Sequence, residues 1–186
     1  VFGEDPRQGY VDGGVFYHPQ LRFQFPIPRN WKVNNTPSQV QMTSKQRDAA
    51  ILLSVISGTS PRQAAVKFAE TSQASVIKYE ARKVHGLSAY RLISDIGDQR
   101  GVYRVMSYFI AKDKYIYVFH GLTSPQSFEV YASQFDRTMG QFRHLTDRKR
   151  INVKPDRIRI RTTKRSGTME GALRSLGVPE NEQKNI

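Results

Sequence analysis

Four histidines are the first candidates for chemistry in this chain: His18, His85, His120 and His144. No two of them stand four apart, and none sits in HExxH, so the common helix-borne zinc motif is missing. With no cysteine, thiolate metal sites, thiol nucleophiles and disulfides are missing as well. Their places suggest that His85 serves a turn and that His120 ends a strand. The carboxylates are scattered and nominate no acid/base pair. There is no GxSxG elbow and no Walker loop. "GYVDGG" has glycines at 9, 13 and 14, which does not fit the dinucleotide fingerprint GxGxxG. Nothing calls for a cofactor or a metal, and catalysis by this chain alone is not expected.

Charge is the second candidate. The chain of 186 residues has a net charge of +13 and a mean hydropathy of −0.56. Residues 147–165, "DRKRINVKPDRIRIRTTKR", carry a net +7, as much as the 146 residues before them. That places a boundary near Thr146, between a domain over 1–146 and a basic extension over 147–186. "RIRIRTT" alternates, with Ile158 and Ile160 on one face and Arg157, Arg159 and Arg161 on the other. It reads as an edge strand with a wet, charged face. Arg157, Arg159, Arg161 and Lys164 are the candidate anion- or partner-binding residues. Nucleic acid is a weaker option. Residues 100–109 share Arg100, Gly101 and Val105 with the RNP1 pattern of RNA-binding sheets. Val102, Arg104 and Ser107 stand where stacking aromatics belong.

The elements that must position these residues follow from periodicity. "LRFQF" alternates, with Leu21, Phe23 and Phe25 on one face. "SQVQMTS" and "AAILLSVIS" are further strands. The second of these holds the longest apolar run, far short of a membrane span. "SPRQAAVKFAETSQ" opens with Ser60 as N-cap and Pro61 at the first helical position, and puts Ala64, Ala65 and Phe68 on one face. Two hairpins follow, turning at His85-Gly86 and within "AKDK". "SPQSFEVYASQFDRTMGQF" is a second helix with an apolar stripe of Phe128, Tyr131, Ala132, Phe135 and Met139. This order argues for an α+β fold, an antiparallel sheet with packed helices. In "FPIPRNW", Pro26 and Pro28 end a strand, Arg29-Asn30 turns the chain, and Trp31 lies against the sheet. These three residues, Trp31, Pro26 and Pro28, are structural.

Residues 9–37 resemble the opening of a C-terminal domain of bacterial zinc metallopeptidases related to the CAAX-prenyl protease family, many of which carry TPR repeats. Gly9-Tyr10-Val11, Gly13, Phe16, His18-Pro19, Phe25-Pro26 and Trp31 carry the resemblance, which covers about residues 6–145. Their strand, proline turn and tryptophan are similar to those of PsbP-like α/β/α sandwiches. The resemblance implies a non-catalytic accessory domain, periplasmic or otherwise extracytoplasmic, whose partners are its own peptidase domain, a substrate or cell-wall glycan. The HExxH segment of that family is not in this sequence, whose opening reads as the interior of a longer protein. Residues 157–179 resemble the first half of a LysM peptidoglycan-binding module. Ser166-Gly167-Thr168-Met169 stands where that module has GDTL, and a short helix with Met169, Leu173 and Leu176 as its apolar side follows. A free-standing binder of polyanions is the alternative function.

Overall fold

The computed structural model describes residues 6–99, 101–153, 168–175 and 177. Their strands form two antiparallel sheets. The smaller combines β1 (Tyr10–Asp12), β2 (Val15–His18) and β3 (Phe23–Pro26) with a late two-residue strand at 143–144, in the order β1-β2-β3-β11. The larger holds β4 (Lys32–Asn35), β5 (Val40–Thr43), β6 (Ala49–Ser57), β7 (Ser75–Val84), β8 (Leu87–Asp98), β9 (Gly101–Lys112) and β10 (Tyr115–Thr123). Its spatial order is β4-β5-β6-β10-β9-β8-β7.

Strands β6 and β7 run parallel, since three antiparallel steps pair β6 to β8 through β10 and β9 and a fourth adds β7. Parallel strands need a crossover. Helix α1 (Pro61–Thr71) supplies it, lying on one face of the sheet. Ser60 caps it by accepting from the Gln63 N–H at 3.3 Å, with Pro61 in the first turn. Helix α2 (Phe128–Gly140) follows β10 on the opposite face. Its Ser-Pro start differs from that of α1. Ser124 first caps a 3-10 turn, Pro125–Ser127, and the α-helix begins after it.

The main core lies between the large sheet and the layer made by α2 and the small sheet. Phe23 meets Tyr117 edge-on at 5.1 Å, and Phe25 meets Phe119 at 5.2 Å. Aromatic edge-to-face pairs of this kind add to plain area burial. Phe128, Tyr131, Phe135 and Met139 are the buried stripe of α2. They approach β10 at Gly121, where a Cβ would lie 2.7 Å from Phe135 and 2.8 Å from Met139. Only hydrogen at that position lets the helix sit so low.

Polar ties fix α2 at two points. Near its start, the Tyr131 hydroxyl donates to Asp48 Oδ1 at 2.6 Å. That bond and one from Ser44 hold the Asp48 carboxyl below the usual range. Near its end, Asp136 Oδ1 accepts from Tyr108 at 2.6 Å, Arg91 at 2.9 Å and Arg82 at 3.0 Å. Burial works against the Asp136 carboxylate, but the hydroxyl and the guanidiniums outweigh it and lower its pKa. The Tyr108 hydroxyl is pushed up by burial and by Asp136. Glu80 completes the cluster through Arg91 and Arg82. Buried charge needs such partners.

Four expectations change. There are two sheets, because residues 6–26 fold on themselves before the chain enters the large sheet. Trp31 packs against the main core with its ring contacts on α2, edge-on to Tyr131 at 6.0 Å and Phe135 at 6.3 Å. The proline turn explains this. Pro26 is the last residue of β3, the Trp31 N–H donates to the Pro28 carbonyl at 3.2 Å, and Asn30 takes φ 63°. The chain thereby crosses from one sheet to the other with the indole facing the helix. His120 lies inside β10 and not at its end. In the short helix α4 (Met169–Ser175; a further turn, α3, spans Arg148–Ile151) Met169 is 70% exposed and forms no buried side. Leu176 is outside the described residues.

Gly121→Ala should destabilise the fold by about 1–3 kcal/mol through overpacking. Its backbone is ordinary extended strand, so the cost is steric alone. Urea unfolding of the variant against wild type measures it; an unchanged midpoint would mean that α2 stands further from the sheet.

Candidate functional site

The face of the large sheet opposite α2 is only partly covered. Ala65, Phe68 and their neighbours on α1 pack on Leu92, Phe109, Ile116 and Val118, making a second, smaller core. One helix cannot span seven strands. On the β6 side it leaves a groove of 520 Å³. Phe109, Ile116, Val118 and His120 form its floor. Phe68, Lys67 and the first turn of α1 form one wall, and Ser54 and Ile56 form the other. Ile56 is 43% exposed on that rim. An apolar floor with a few convergent polar groups is the usual make-up of a binding site.

His120 is the unusual member. Its ring stacks on Phe68 at 4.3 Å, and Nδ1 shares a 2.8 Å hydrogen bond with the Ser107 hydroxyl. Burial pushes its pKa down to about 4, so the ring is neutral at pH 7. The pair does not amount to an activated nucleophile. Ser107 is 0% exposed, so no substrate reaches its oxygen, and no carboxylate orients the ring. Its bond fixes the imidazole in the groove floor. The groove can hold an apolar segment, give or accept one neutral hydrogen bond, and meet a negative group at Lys67. Among the described residues, no three His, Cys, Asp or Glu side chains gather as metal ligands.

Sequence reasoning missed this site because it ended the strand at His120. The alternation Ile116, Val118, His120, Leu122 was the signal that the ring shares a face with the apolar floor. The predicted anion-binding residues, Arg157, Arg159, Arg161 and Lys164, lie outside the described residues. The start of their basic tract is held to the domain. Asp147 caps α3 by accepting from the Lys149 N–H at 2.8 Å. Arg150 pairs with Asp12 and lies 4.8 Å over the Tyr17 ring.

The histidines set an acid response. His18 in the small sheet is also lowered to about 4 by burial, against the ordinary 6.5. Between those values the unfolded chain binds protons that the folded chain refuses, so stability falls as pH drops from 6.5 toward 4. The aspartates with lowered pKa, Asp48, Asp95 and Asp136, lose their contribution only as pH falls through and below about 4. Urea midpoints measured between about pH 7 and pH 5 should therefore decline in wild type. They should decline much less in the His18→Phe, His120→Phe double variant. An equal decline in both would place the titration elsewhere.

No protein-family model matches the chain, and no curated protein matches it. Solved structures do. The solution structure of cyanobacterial PsbP (CyanoP) from Synechocystis sp. PCC 6803 is 19% identical over 74% of this chain and 91% of that one, with a TM-score of 0.53. A crystal structure from Bacteroides thetaiotaomicron VPI-5482 is 11% identical with a TM-score of 0.52. It matches 74% of this chain, which spans half the length of that one. The fold is therefore PsbP-like, an α+β sandwich of antiparallel sheet and packed helices.

Proposed function

We propose that this chain is a non-catalytic interaction domain, the accessory module of an extracytoplasmic zinc metallopeptidase. The observation that carries the interaction role is the half-covered sheet face, with its open apolar groove beside α1 and no bond-breaking constellation in it. The peptidase association rests on the resemblance of residues 9–37. In this structure those residues build β1, β2 and β3 of the small sheet, the proline turn, and β4 of the large sheet, a framework in the reading proposed here. The partner is an apolar segment of the peptidase domain itself, seated beside α1, which keeps the protease positioned on substrate or cell wall.

The test uses the purified chain and the domain encoded beside it in its native reading frame. An HExxH domain should be found there and should bind the chain in solution. Ile56→Asp, on the exposed rim, should weaken binding by roughly tenfold without lowering stability. The chain alone should hold no zinc and cleave no casein. A reading frame without HExxH, or zinc-dependent proteolysis by the chain itself, would overturn the proposal.

A second reading is favoured by the +7 charge of residues 147–165, with Arg157, Arg159, Arg161 and Lys164 as a polyanion-binding face. Such binding is electrostatic and salt-sensitive. Retention on heparin should collapse between low and physiological salt, and again when the three arginines become serine. Salt-resistant retention in that triple variant would contradict it.

A further inference from the structure

A cavity larger than the α1 groove lies elsewhere among the described residues. It encloses 690 Å³ between the β2–β3 connection, the 3-10 turn at Pro6–Gln8, and the hairpin joining β4 to β5. Its lining has one distinctive property. Among the described residues, no charged side chain lines it, although the chain carries +13. Instead the wall presents amides and hydroxyls, including Gln8, Gln20, Gln39 and Ser38, around a buried apolar floor of Phe23, Val40 and Leu53.

We propose that this cavity is a binding site for a neutral saccharide, with the Nε2–H of His18 and the amide of Gln39 as its principal hydrogen-bonding groups.

The donor at His18 is held in place by its surroundings. The ring leans on Phe23 at 4.9 Å. The Leu21 N–H donates to Nδ1 at 3.2 Å, so the neutral ring carries its proton on Nε2, its other nitrogen. The Leu21 carbonyl is held in turn by the ammonium of Lys112, at 3.0 Å. That lysine is 4% exposed and pairs with Asp113 at 2.6 Å. The backbone of Leu21 is therefore held at both its N–H and its carbonyl, which fixes the partner of the ring. A fixed neutral donor suits a hydroxyl better than an anion, which would demand a cation in the wall. The Gln39 backbone is pinned as well. Its carbonyl accepts from the Thr36 N–H and hydroxyl, both at 2.9 Å, which leaves the side-chain amide free for a ligand. An amide offers both donors and acceptors, matching the mixed character of sugar hydroxyls. Pro37 and Val55 add apolar surface for the sugar ring's carbon-bound hydrogens.

The site is independent of the peptidase association, and its test is separate. The full chain, labelled with 15N, is titrated with chitotriose and with maltotriose, and in parallel with a heparin-derived tetrasaccharide and a neutral alanine peptide. A neutral trisaccharide at millimolar concentration should shift the amides of Leu21, Ser38 and Gln39, and added salt should not reverse this. Gln39→Ala, on the exposed rim, and His18→Phe should each weaken binding roughly fivefold, the effect of one lost hydrogen bond. Gln39→Ala keeps the test valid if the His18 variant folds poorly. Overturning results are no shift with either trisaccharide, shifts unchanged by Gln39→Ala, or shifts at these amides with only the peptide or only the anionic sugar.

Discussion

The structure depends on how closely α2 approaches β10. At Gly121 there is no room for even one methyl group between the strand and the rings and sulfur side chain of the helix. Because the helix sits so low, Tyr131 reaches Asp48 in the β5–β6 turn, and Asp136 reaches Tyr108 and two arginines on β7 and β8. Trp31 then has a surface to close against, and the small sheet can follow the turn at Pro28–Trp31 onto the same face. A helix displaced by the width of a methyl would loosen all of these at once, since close-packed interiors adjust poorly to added volume.

The two faces of the large sheet are consequently unequal. One carries the main core, an aromatic-rich layer with polar ties at both ends of its helix. The other carries a single crossover helix and a groove with neutral His120 in its floor. The larger core lies on the first face, and the second is left half-covered. The same division is visible in the acidic side chains. Glu80, Asp95 and Asp136 are all bonded to arginines, so their negative charge is committed to holding strands and helix together.

Much of this was legible in the residues. A continuous apolar run marked β6, turn residues marked both hairpins, and amphipathic spacing marked both long helices. The cap at Ser60 and the turn at His85-Gly86 are local signals that need no tertiary information. Two short elements were not legible. β4 and β11 are four and two residues long, and exist because a neighbouring strand accepts them. The second sheet was hidden for the same reason. Gly9 shows what the sequence concealed: a Cβ there would lie 2.5 Å from the Phe16 ring, a packing demand that only the folded hairpin reveals. The α1 groove was missed because its floor combines residues from two strands, and the cavity at His18 because amides and hydroxyls in loops carry no periodic signal.

Hydrogen exchange of the chain, alone and with the HExxH domain proposed as its partner, tests the division of labour most directly. In the free chain, amides of β9, β10 and α2 should exchange slowest, and those of α1 and the Ser54–Ser57 end of β6 should open sooner. Adding the partner should slow exchange at α1 and at residues 54–57, leaving α2 and the small sheet unchanged. Protection confined to α2 or the small sheet would contradict the account, because the partner would then be reading the face that holds the fold together.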